Sequence, residues 1–331
     1  MNLMRARVCI ARCEGYGELS MKLINTNSGM AVAIGFFDGV HSGHQAVILN
    51  AVSYARENGV KCVVITFDRS PKIALGQNIS NDGFLTPDNE RKRLFYTLGV
   101  DRVMVLPFDK MLQLMSASDF VHKYLISEKV RYVSVGFDFR FGHGGLGDVD
   151  YLREFVKDFE IDVTPQIVIS GEKISSTRIR DFLKCGKLEQ ANMMLGRCFS
   201  ISGEVVYGRQ LGRTIQFPTA NLRPDGDYFA LYPGVYATIT HVHGRAYASM
   251  TNVGNNPTFN FTHDISIETH ILDFDVDIYD EKIRVEFVQM IRNEQKFDDI
   301  QELILQLKAD ADYVRTLDIG GYSQSSELKT I

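Results

Sequence analysis

The chain has 331 residues, of which 45% are hydrophobic and 23% are charged, and these proportions are typical of a globular protein with about two domains. Its formal net charge of −5 argues against a protein that mainly binds nucleic acid, because such proteins carry an excess of Lys and Arg. Five cysteines without a CxxC pair, and no apolar run near the ~20 residues of a membrane span, predict a reduced cytoplasmic protein with no membrane partner.

The chain between residues 31 and 187 alternates between short apolar runs and amphipathic stretches. Residues 1–20, before it, show no clear periodicity and are predicted to form a poorly ordered extension. Helices are predicted over 44–58, which Gly59 ends, and over 118–129, with Ser118 as the N-cap. Four apolar runs rich in β-branched residues are predicted strands: 31–35, 62–67, 103–106 and 132–136. Apolar strands that alternate with helices indicate a parallel sheet covered on both faces, which is a doubly wound α/β domain.

The pattern changes after Gly196, where short strands follow one another at close spacing. The predicted strands are 200–207, 234–241, 245–251, 265–272 and 282–291. One long helix is predicted over 297–317, because its apolar residues recur with a period of about 3.6. These elements indicate a small antiparallel β-barrel or sandwich with a long C-terminal helix. We therefore place the domains at 21–187 and 188–318, and predict that 319–331 is a second poorly ordered extension.

The segment IGFFDGVHSGHQAVI, residues 34–48, lies where a predicted strand turns into a predicted helix. Ligands of open parallel sheets bind beyond the carboxyl ends of the strands, where helix N-termini direct unpaired N–H groups at them. His41 and His44 lie about one helical turn apart and can donate hydrogen bonds to phosphate oxygens. Gly35 and Gly39 would let the backbone approach a nucleotide closely, and Gly43 would let the first helical turn pack tightly. The segment therefore predicts a nucleotide phosphate site.

A second phosphate-binding pattern stands at the end of the same domain, in ISSTRIRDFL, residues 174–183. Its hydroxyls and guanidinium groups suit phosphate oxygens, and its Ser and Thr residues also suit the start of a helix. Together with GFFDGVHSGHQ and with VGFDFRFG, residues 135–142, it resembles the bacterial bifunctional riboflavin kinase/FAD synthetase family, whose HxGH signature is that of the nucleotidyltransferase superfamily. The resemblance implies catalytic roles for His41, His44 and Arg180. It also implies ATP contacts at Gly35, Phe36, Asp38, Gly39, Gly43, Ser176 and Thr177, and flavin contacts at Asp138, Phe139 and Phe141.

The second domain contains GEVVYGRQLGRTIQFPTANL, residues 203–222, in which glycines bracket basic residues and PTAN presents oxygen atoms. Hydroxyl and amide oxygens are hard ligands that suit Mg²⁺ shared with nucleotide phosphates. With NVGNNPTF, residues 252–259, and IETHILDF, residues 267–274, the segment resembles the riboflavin kinase module of the same family, and Gln216 stands where that family usually has glycine. The resemblance implies ATP contacts at Gly208, Gly212 and Arg213, Mg²⁺ ligands at Thr219 and Asn221, a flavin contact at Asn252 and a catalytic base at Glu268.

The two modules together predict an enzyme that phosphorylates riboflavin to FMN with ATP and Mg²⁺, and then joins FMN to AMP from ATP to give FAD and pyrophosphate. Its partners would be these small molecules, without nucleic acid, and its oligomeric state is left open. One alternative is another HxGH enzyme, such as a tRNA synthetase with KISST as its second motif, although the acidic charge balance and the lack of an anticodon-binding domain count against it. The other alternative is a flavin-binding regulator that has kept the fold without turnover.

Overall fold

The computed structural model of the chain describes residues 29–70, 83–155, 157, 159–169, 171–208, 212, 215–255 and 265–317. Both predicted extensions, 1–20 and 319–331, lie outside these residues. In the part of the chain that is described, no helix is both long and apolar enough to cross a membrane.

The N-terminal module is built on a sheet of five parallel strands, which confirms the predicted doubly wound domain. The strands are β1 (Met30–Ile34), β2 (Lys61–Phe67), β3 (Arg102–Leu106), β4 (Val130–Gly136) and β5 (Glu160–Thr164). The first four match the predicted strands closely, whereas the sequence does not predict β5, because two acidic residues interrupt this edge strand. The strand order β3-β2-β1-β4-β5 makes the gap between β1 and β4 the point at which the winding reverses, and ligands of such sheets bind beyond the strand ends there.

The helices of this module are α1 (Ser42–Asn58), α2 (Asp88–Thr97), α3 (Lys110–Leu114), α4 (Ala117–Val121), α5 (Val149–Phe155) and α6 (Ser176–Lys184); α7 (Leu188–Leu195) follows and begins the second module, 188–318. As predicted, α1 ends at Gly59, which is left-handed. The helix predicted over 118–129 instead begins after Ser116, and α4 continues as a π-helical turn. Ser116 rather than Ser118 is the cap, because its hydroxyl accepts from the N–H of Asp119 at 3.0 Å.

The C-terminal module is a closed antiparallel barrel, as one of the two predicted alternatives requires. After a short hairpin of β6 (Val168–Ile169) and β7 (Glu172–Lys173), its strands are β8 (Phe199–Val206), β9 (Ala220–Pro224), β10 (Gly234–Val242), β11 (Arg245–Asn255), β12 (Ile265–Ile271) and β13 (Lys282–Arg292). The spatial order is β10-β11-β12-β9-β8-β13. The sequence does not predict β9, which is short and contains asparagine and proline. The C-terminal helix α8 (Ile300–Thr316) packs on the outside of the barrel, and begins after its cap Asp299 rather than at 297.

The two modules are joined through α6 and α7. One buried cluster contains Leu183 of α6, Leu195 of α7, and Phe199 and Phe287 of the barrel. Both α6 of the first module and α7 of the second therefore pack on the barrel.

Candidate active sites

The turn after β1 has a shape that depends on glycine at Gly35. The N–H of Gly35 continues the sheet by donating to the carbonyl of Ile65 at 3.1 Å. Phe37 is left-handed (φ 57°), and its ring folds back so far that a Cβ at position 35 would lie 2.7 Å from it. Only glycine fits there without a shift of the ring. This close turn is compatible with the ATP contact predicted at Gly35, which stays a prediction.

The two histidines of the HxGH motif lie together at the start of α1, as the sequence predicts. His41 is the N-cap, and its Nδ1 accepts from the backbone N–H of His44 at 3.2 Å. The rings stack with centroids 3.5 Å apart and planes 18° apart. Gly43 permits this arrangement, since a Cβ there would lie 3.2 Å from the His41 ring. Because Nδ1 of His41 accepts, its proton is on Nε2, which remains available to donate to a ligand.

Both histidines are held neutral by their surroundings. Burial lowers the pKa of His41 to about 4. Burial also lowers the pKa of His44 well below its ordinary value, with further lowering from His41, Arg91 and Arg197. Nδ1 of His44 is buried and has no hydrogen-bond partner among the described residues. At pH 7 the pair therefore presents two neutral imidazole rings at a helix N-terminus, rather than two cations.

The low pKa of His41 predicts a specific loss of stability in acid. The unfolded chain binds a proton at His41 near pH 6.5 and the folded chain only near pH 4, so stability is lost as the pH falls through this window, by about 3 kcal/mol. We expect His41→Asn, which keeps an N-cap but does not titrate, to reduce the drop in thermal midpoint between pH 7 and pH 4.5. Equal drops in the two proteins would contradict the burial of a neutral His41.

Asp38 ties three segments of the site together. Its carboxylate, only 2% exposed, accepts from the N–H of Thr86 at 3.1 Å and forms an ion pair with Arg180. Its backbone carbonyl accepts from the hydroxyl of Ser176 at 2.8 Å. The start of α6 therefore meets the HxGH turn, and Asp38 stabilises this junction while its carboxylate is closed to solvent. Arg180, which is predicted to stabilise charge, donates from one Nη to the carboxylate of Asp38.

The start of α6 combines the two features predicted for it, a Ser N-cap and a hydroxyl that is available to a phosphate. Ser175 is the N-cap and its hydroxyl accepts from the N–H of Arg178 at 3.2 Å. Thr177 is exposed in the first turn, where its hydroxyl can reach a ligand. Capping and phosphate binding are therefore compatible in this segment.

Two residues that support the first site are not marked by the sequence. Thr86 holds the turn through its hydroxyl, which accepts from the N–H of Gly39 at 2.8 Å. Arg91 is 2% exposed, and its guanidinium donates to the carbonyls of Phe36 at 3.0 Å and Phe67 at 3.1 Å. Arg91 stands in the charged run DNERKR of α2, where nothing separates it from its exposed neighbours. Its role depends on tertiary contacts that a single sequence does not reveal.

The predicted flavin segment follows β4, on the other side of the winding reversal. Asp138 is exposed and Phe139 is half-buried, whereas Phe141 is 6% exposed and belongs to the hydrophobic core. Phe139 stacks on Phe141 with centroids 5.5 Å apart. Phe141 therefore supports Phe139 from below instead of offering a free face to a ligand. Phe137, which the sequence analysis does not single out, is 42% exposed at this edge.

In the barrel, three predicted site residues lie in one row across adjacent strands. Glu268 of β12 is directly opposite Asn221 of β9 on one side and Asn252 of β11 on the other. Residues opposite each other on antiparallel strands share a face, with Cβ atoms about 5 Å apart. Ile267 and Thr269, which alternate with Glu268, are buried inside the barrel, so the row lies on the outer face of the barrel wall.

Two glycines bring the preceding loop close to this row. A Cβ on Gly208 would lie 2.3 Å from the carboxamide of Asn221. A Cβ on Gly212 would lie 2.2 Å from the carbonyl oxygen of Phe217. The backbone N–H of Phe217 in turn donates to the carbonyl of Gly212 at 2.8 Å. Gln216 is left-handed (φ 65°), a conformation that glycine adopts without steric cost. Arg213, predicted to contact ATP, lies outside the described residues.

A cavity of about 670 Å³ lies between residues 216–218 and α8, next to the end of β12. Pro218, directly before Thr219, lines it, as does His270, two residues after Glu268. Nδ1 of His270 lies 2.7 Å from the carbonyl of Pro218, and because a carbonyl only accepts, this nitrogen is the donor. The walls include Phe217, Phe274, Asp312 and Arg315. The cavity thus offers aromatic and charged surface next to β12, the strand that carries Glu268.

Comparison with known proteins finds two matched families, one for each module. The FAD synthetase family model matches residues 23–178, and the riboflavin kinase family model matches residues 195–317. A bifunctional riboflavin kinase/FMN adenylyltransferase of Listeria monocytogenes is 38% identical over 286 residues, which cover 86% of this chain and 91% of that protein. The corresponding protein of Escherichia coli K12 is 34% identical, with 85% and 90% covered.

A solved structure resembles the whole molecule. It is a crystal structure described as a macrolide-efflux protein from Streptococcus pneumoniae, with a TM-score of 0.80 and 33% sequence identity. The similarity covers 88% of this chain and 95% of that one. The arrangement of both modules is therefore shared with an experimentally determined protein.

Proposed function

The chain belongs to the family of bifunctional riboflavin kinases/FMN adenylyltransferases, and on that premise we propose which of its residues carry each reaction. The enzyme phosphorylates riboflavin to FMN and adenylylates FMN to FAD, with ATP as co-substrate of both steps. We assign adenylylation to residues 21–187 and phosphorylation to residues 188–318. The observation that supports two sites best is that each module has its own cluster of functional residues. One module has the stacked histidines at the start of α1, and the other has the row of Asn221, Glu268 and Asn252.

In the adenylylation, a phosphate oxygen of FMN attacks the α-phosphorus of ATP, and pyrophosphate leaves. No covalent enzyme intermediate is required, so the protein has to position the reactants and stabilise negative charge. We propose that the Nε2–H of His41 and the ring of His44 donate to the α-phosphate, with Thr177 and Arg180 on the departing pyrophosphate. The glycines of the turn and Phe36 would lie along the nucleotide, while Asp38 holds the turn in place. Asp138 and Phe139 would contact the flavin, with Phe141 supporting them.

In the phosphorylation, the 5′-hydroxyl of riboflavin attacks the γ-phosphorus of ATP, and ADP leaves. Glu268 takes the hydroxyl proton, because it is the carboxylate in the middle of the row. Asn252 would orient the flavin, and Gly208 with Gly212 would let the loop approach the phosphates. The reaction depends on alignment and charge neutralisation more than on covalent chemistry by the protein.

The oxygen atoms around this row fit a magnesium ion. The hydroxyl of Thr219 and the amide oxygen of Asn221 are hard ligands, and glycine at position 208 lets the loop backbone pack directly against that amide. We propose that these two residues hold Mg²⁺ together with phosphate oxygens of ATP. When bound, the ion would neutralise charge on the transferred phosphoryl group.

The 670 Å³ cavity is the proposed place of the riboflavin ring system. Its walls include Pro218, which precedes Thr219, and His270, which follows Glu268 by two residues on the same strand face, so we propose that a molecule whose hydroxyl reaches Glu268 extends into it. Its volume lies in the usual range for small-molecule sites, and Phe217 and Phe274 provide aromatic surface.

The test is incubation of the purified protein with riboflavin, ATP and MgCl₂, followed by chromatography of the flavins. We expect FMN first and then FAD, and neither product when EDTA replaces MgCl₂. Flavin binding without any product would favour the flavin-binding regulator, and tRNA-dependent aminoacylation would favour the synthetase alternative. Small-molecule substrates and the absence of a membrane-spanning helix among the described residues fit work in the cytoplasm.

A further inference from the structure

The C-terminal end of α7 is closed by side chains from the HxGH helix of the other module. The last carbonyls of a helix lack partners within it. Here the carbonyl of Leu195 accepts from Nε2 of Gln45 at 2.8 Å, and the carbonyl of Met194 accepts from the hydroxyl of Ser42 at 3.1 Å. Gly196 ends the helix in the left-handed conformation, and a Cβ there would lie 2.9 Å from the Ser42 hydroxyl. The close approach of α1 to α7 therefore requires glycine at this position.

The same amide of Gln45 also holds the residue before the first catalytic histidine. Its Nε2 donates to the carbonyl of Val40 at 2.8 Å, so both of its N–H groups are used, one on each module. Val40 is left-handed (φ 39°), which is costly for a β-branched residue and persists only where neighbours fix it. Nη1 of Arg197 lies 3.3 Å from the Val40 carbonyl and 3.4 Å from that of Leu195, so it supports the same two groups at longer range.

Helix α7, to which Gln45 of α1 is hydrogen-bonded, is itself fixed to the barrel strands. Nδ2 of Asn192 on α7 donates to the carbonyl of Phe287 at 2.8 Å, and its Oδ1 accepts from the N–H of Phe199 at 2.7 Å. Leu188 and Leu195 of α7 are buried in the cluster that contains both phenylalanines. A continuous path of hydrogen bonds and packing thus runs from barrel strands β8 and β13, through α7 and Gln45, to Val40 and His41.

From this path we propose that Gln45 is a positioning residue for adenylyl transfer. Through Gln45, the kinase barrel supports the strained Val40 turn and keeps the His41–His44 pair in place. The proposal rests on the assignment of these histidines to the adenylylation site. It assigns to the barrel a second task, because the catalytic turn of one module is stabilised by the body of the other. Gln45 does not touch substrate in this account and acts through His41.

The variant Gln45→Met tests this, because it keeps the length of the side chain and removes both hydrogen bonds. We expect the kcat of FAD synthesis from FMN to fall about tenfold, with FMN synthesis from riboflavin unchanged within about twofold. Asn50→Leu is the matched control: Asn50 is on the same helix and donates to Asp162 at 2.7 Å, within the first module. This control is expected to change the kcat of FAD synthesis less than about twofold, even where it lowers the thermal midpoint equally.

A spectroscopic measurement separates positioning from a general loss of stability. Long-range ¹H–¹⁵N NMR of the histidine rings reports the tautomer and titration of His41 in the full-length protein without turnover. In Gln45→Met we expect the Nε2–H form to become mixed and the titration of His41 to move up towards that of a free histidine. Unchanged ring signals together with unchanged kcat would overturn the proposal. So would equal kcat losses in Gln45→Met and Asn50→Leu.

Arg197→Met provides a second variant if Gln45→Met does not fold. It removes the two longer hydrogen bonds to the same carbonyls, and we expect a fall of about threefold in the kcat of FAD synthesis, with the same direction of change at His41. No change in either quantity would count against the proposal. Wild-type protein that makes FMN but no FAD would instead refute the adenylylation assignment itself, and the ring signals of Gln45→Met would still report on the positioning.

Discussion

Replacement of His44 by alanine is expected to lower FAD synthesis from FMN by about 100-fold or more, because loss of one preorganised donor to developing charge typically costs that much. The ring of His44 stacks on His41 and lies edge-on to Phe37, 5.3 Å between centroids, so alanine removes the donor and the surface that orients its partner. FMN synthesis from riboflavin should stay within about twofold of wild type, because we place that reaction on the barrel. Initial rates with each flavin, measured separately by chromatography, give both numbers.

His122→Ala is the control for this substitution. His122 is an exposed histidine on a helix of the same module, with its Nδ1 3.0 Å from the carbonyl of Ser118. We expect it to leave both activities unchanged. A parallel loss of FMN and FAD synthesis in His44→Ala would show that His44 does not serve the adenylylation alone.

Replacement of Glu268 by glutamine is expected to have the opposite pattern. Glutamine keeps the volume and most hydrogen bonds but cannot accept the proton of the riboflavin hydroxyl, and loss of a general base typically costs about 10²–10⁴-fold in rate. Conversion of supplied FMN to FAD should be unaffected, and the thermal midpoint should remain near that of wild type. The half-buried position of Glu268 on the outer barrel face supports this expectation, since the substitution leaves the barrel interior intact.

Glu204→Gln provides the matched control. Glu204 is a half-buried glutamate on β8 that pairs with Arg223 at 2.9 Å and does not belong to the row of Asn221, Glu268 and Asn252. It should leave the phosphorylation rate unchanged. Near-normal FMN synthesis by Glu268→Gln would remove this residue from the catalytic set, and a large drop in its thermal midpoint would indicate a structural role instead.

The sequence predicts most of the secondary structure where a strong local signal exists. The strand, glycine turn and helix around His41 are visible because apolar runs, glycines and a helical period follow one another directly. β5 and β9 are missed for a physical reason, since acidic residues, asparagine and proline mask strands whose place is fixed by sheet pairing rather than by local preference. Residue type alone also could not identify Ser116 as the N-cap of α4, because Ser116 and Ser118 are equally good N-cap residues.

The sites divide in the same way. Motif resemblance points to Asn221, Glu268 and Asn252 individually, but their alignment depends on the register of three strands, which one sequence does not determine. Arg91 and the Asp38–Arg180 ion pair involve long-range contacts between segments, and their residue types are common on protein surfaces. The burial of Phe141 likewise follows from packing against Phe120 and Tyr151.

The central claim is that one chain carries two independent sites, and mixing the two inactive variants tests it most directly. Neither His44→Ala nor Glu268→Gln alone should convert riboflavin to FAD at an appreciable rate. In an equimolar mixture with riboflavin, ATP and MgCl₂, FMN released by His44→Ala should be adenylylated by Glu268→Gln. We predict that FAD then accumulates at no less than about one tenth of the wild-type rate, since each variant retains one intact site. A mixture that accumulates FMN but no FAD, although Glu268→Gln still adenylylates added FMN, would contradict the account.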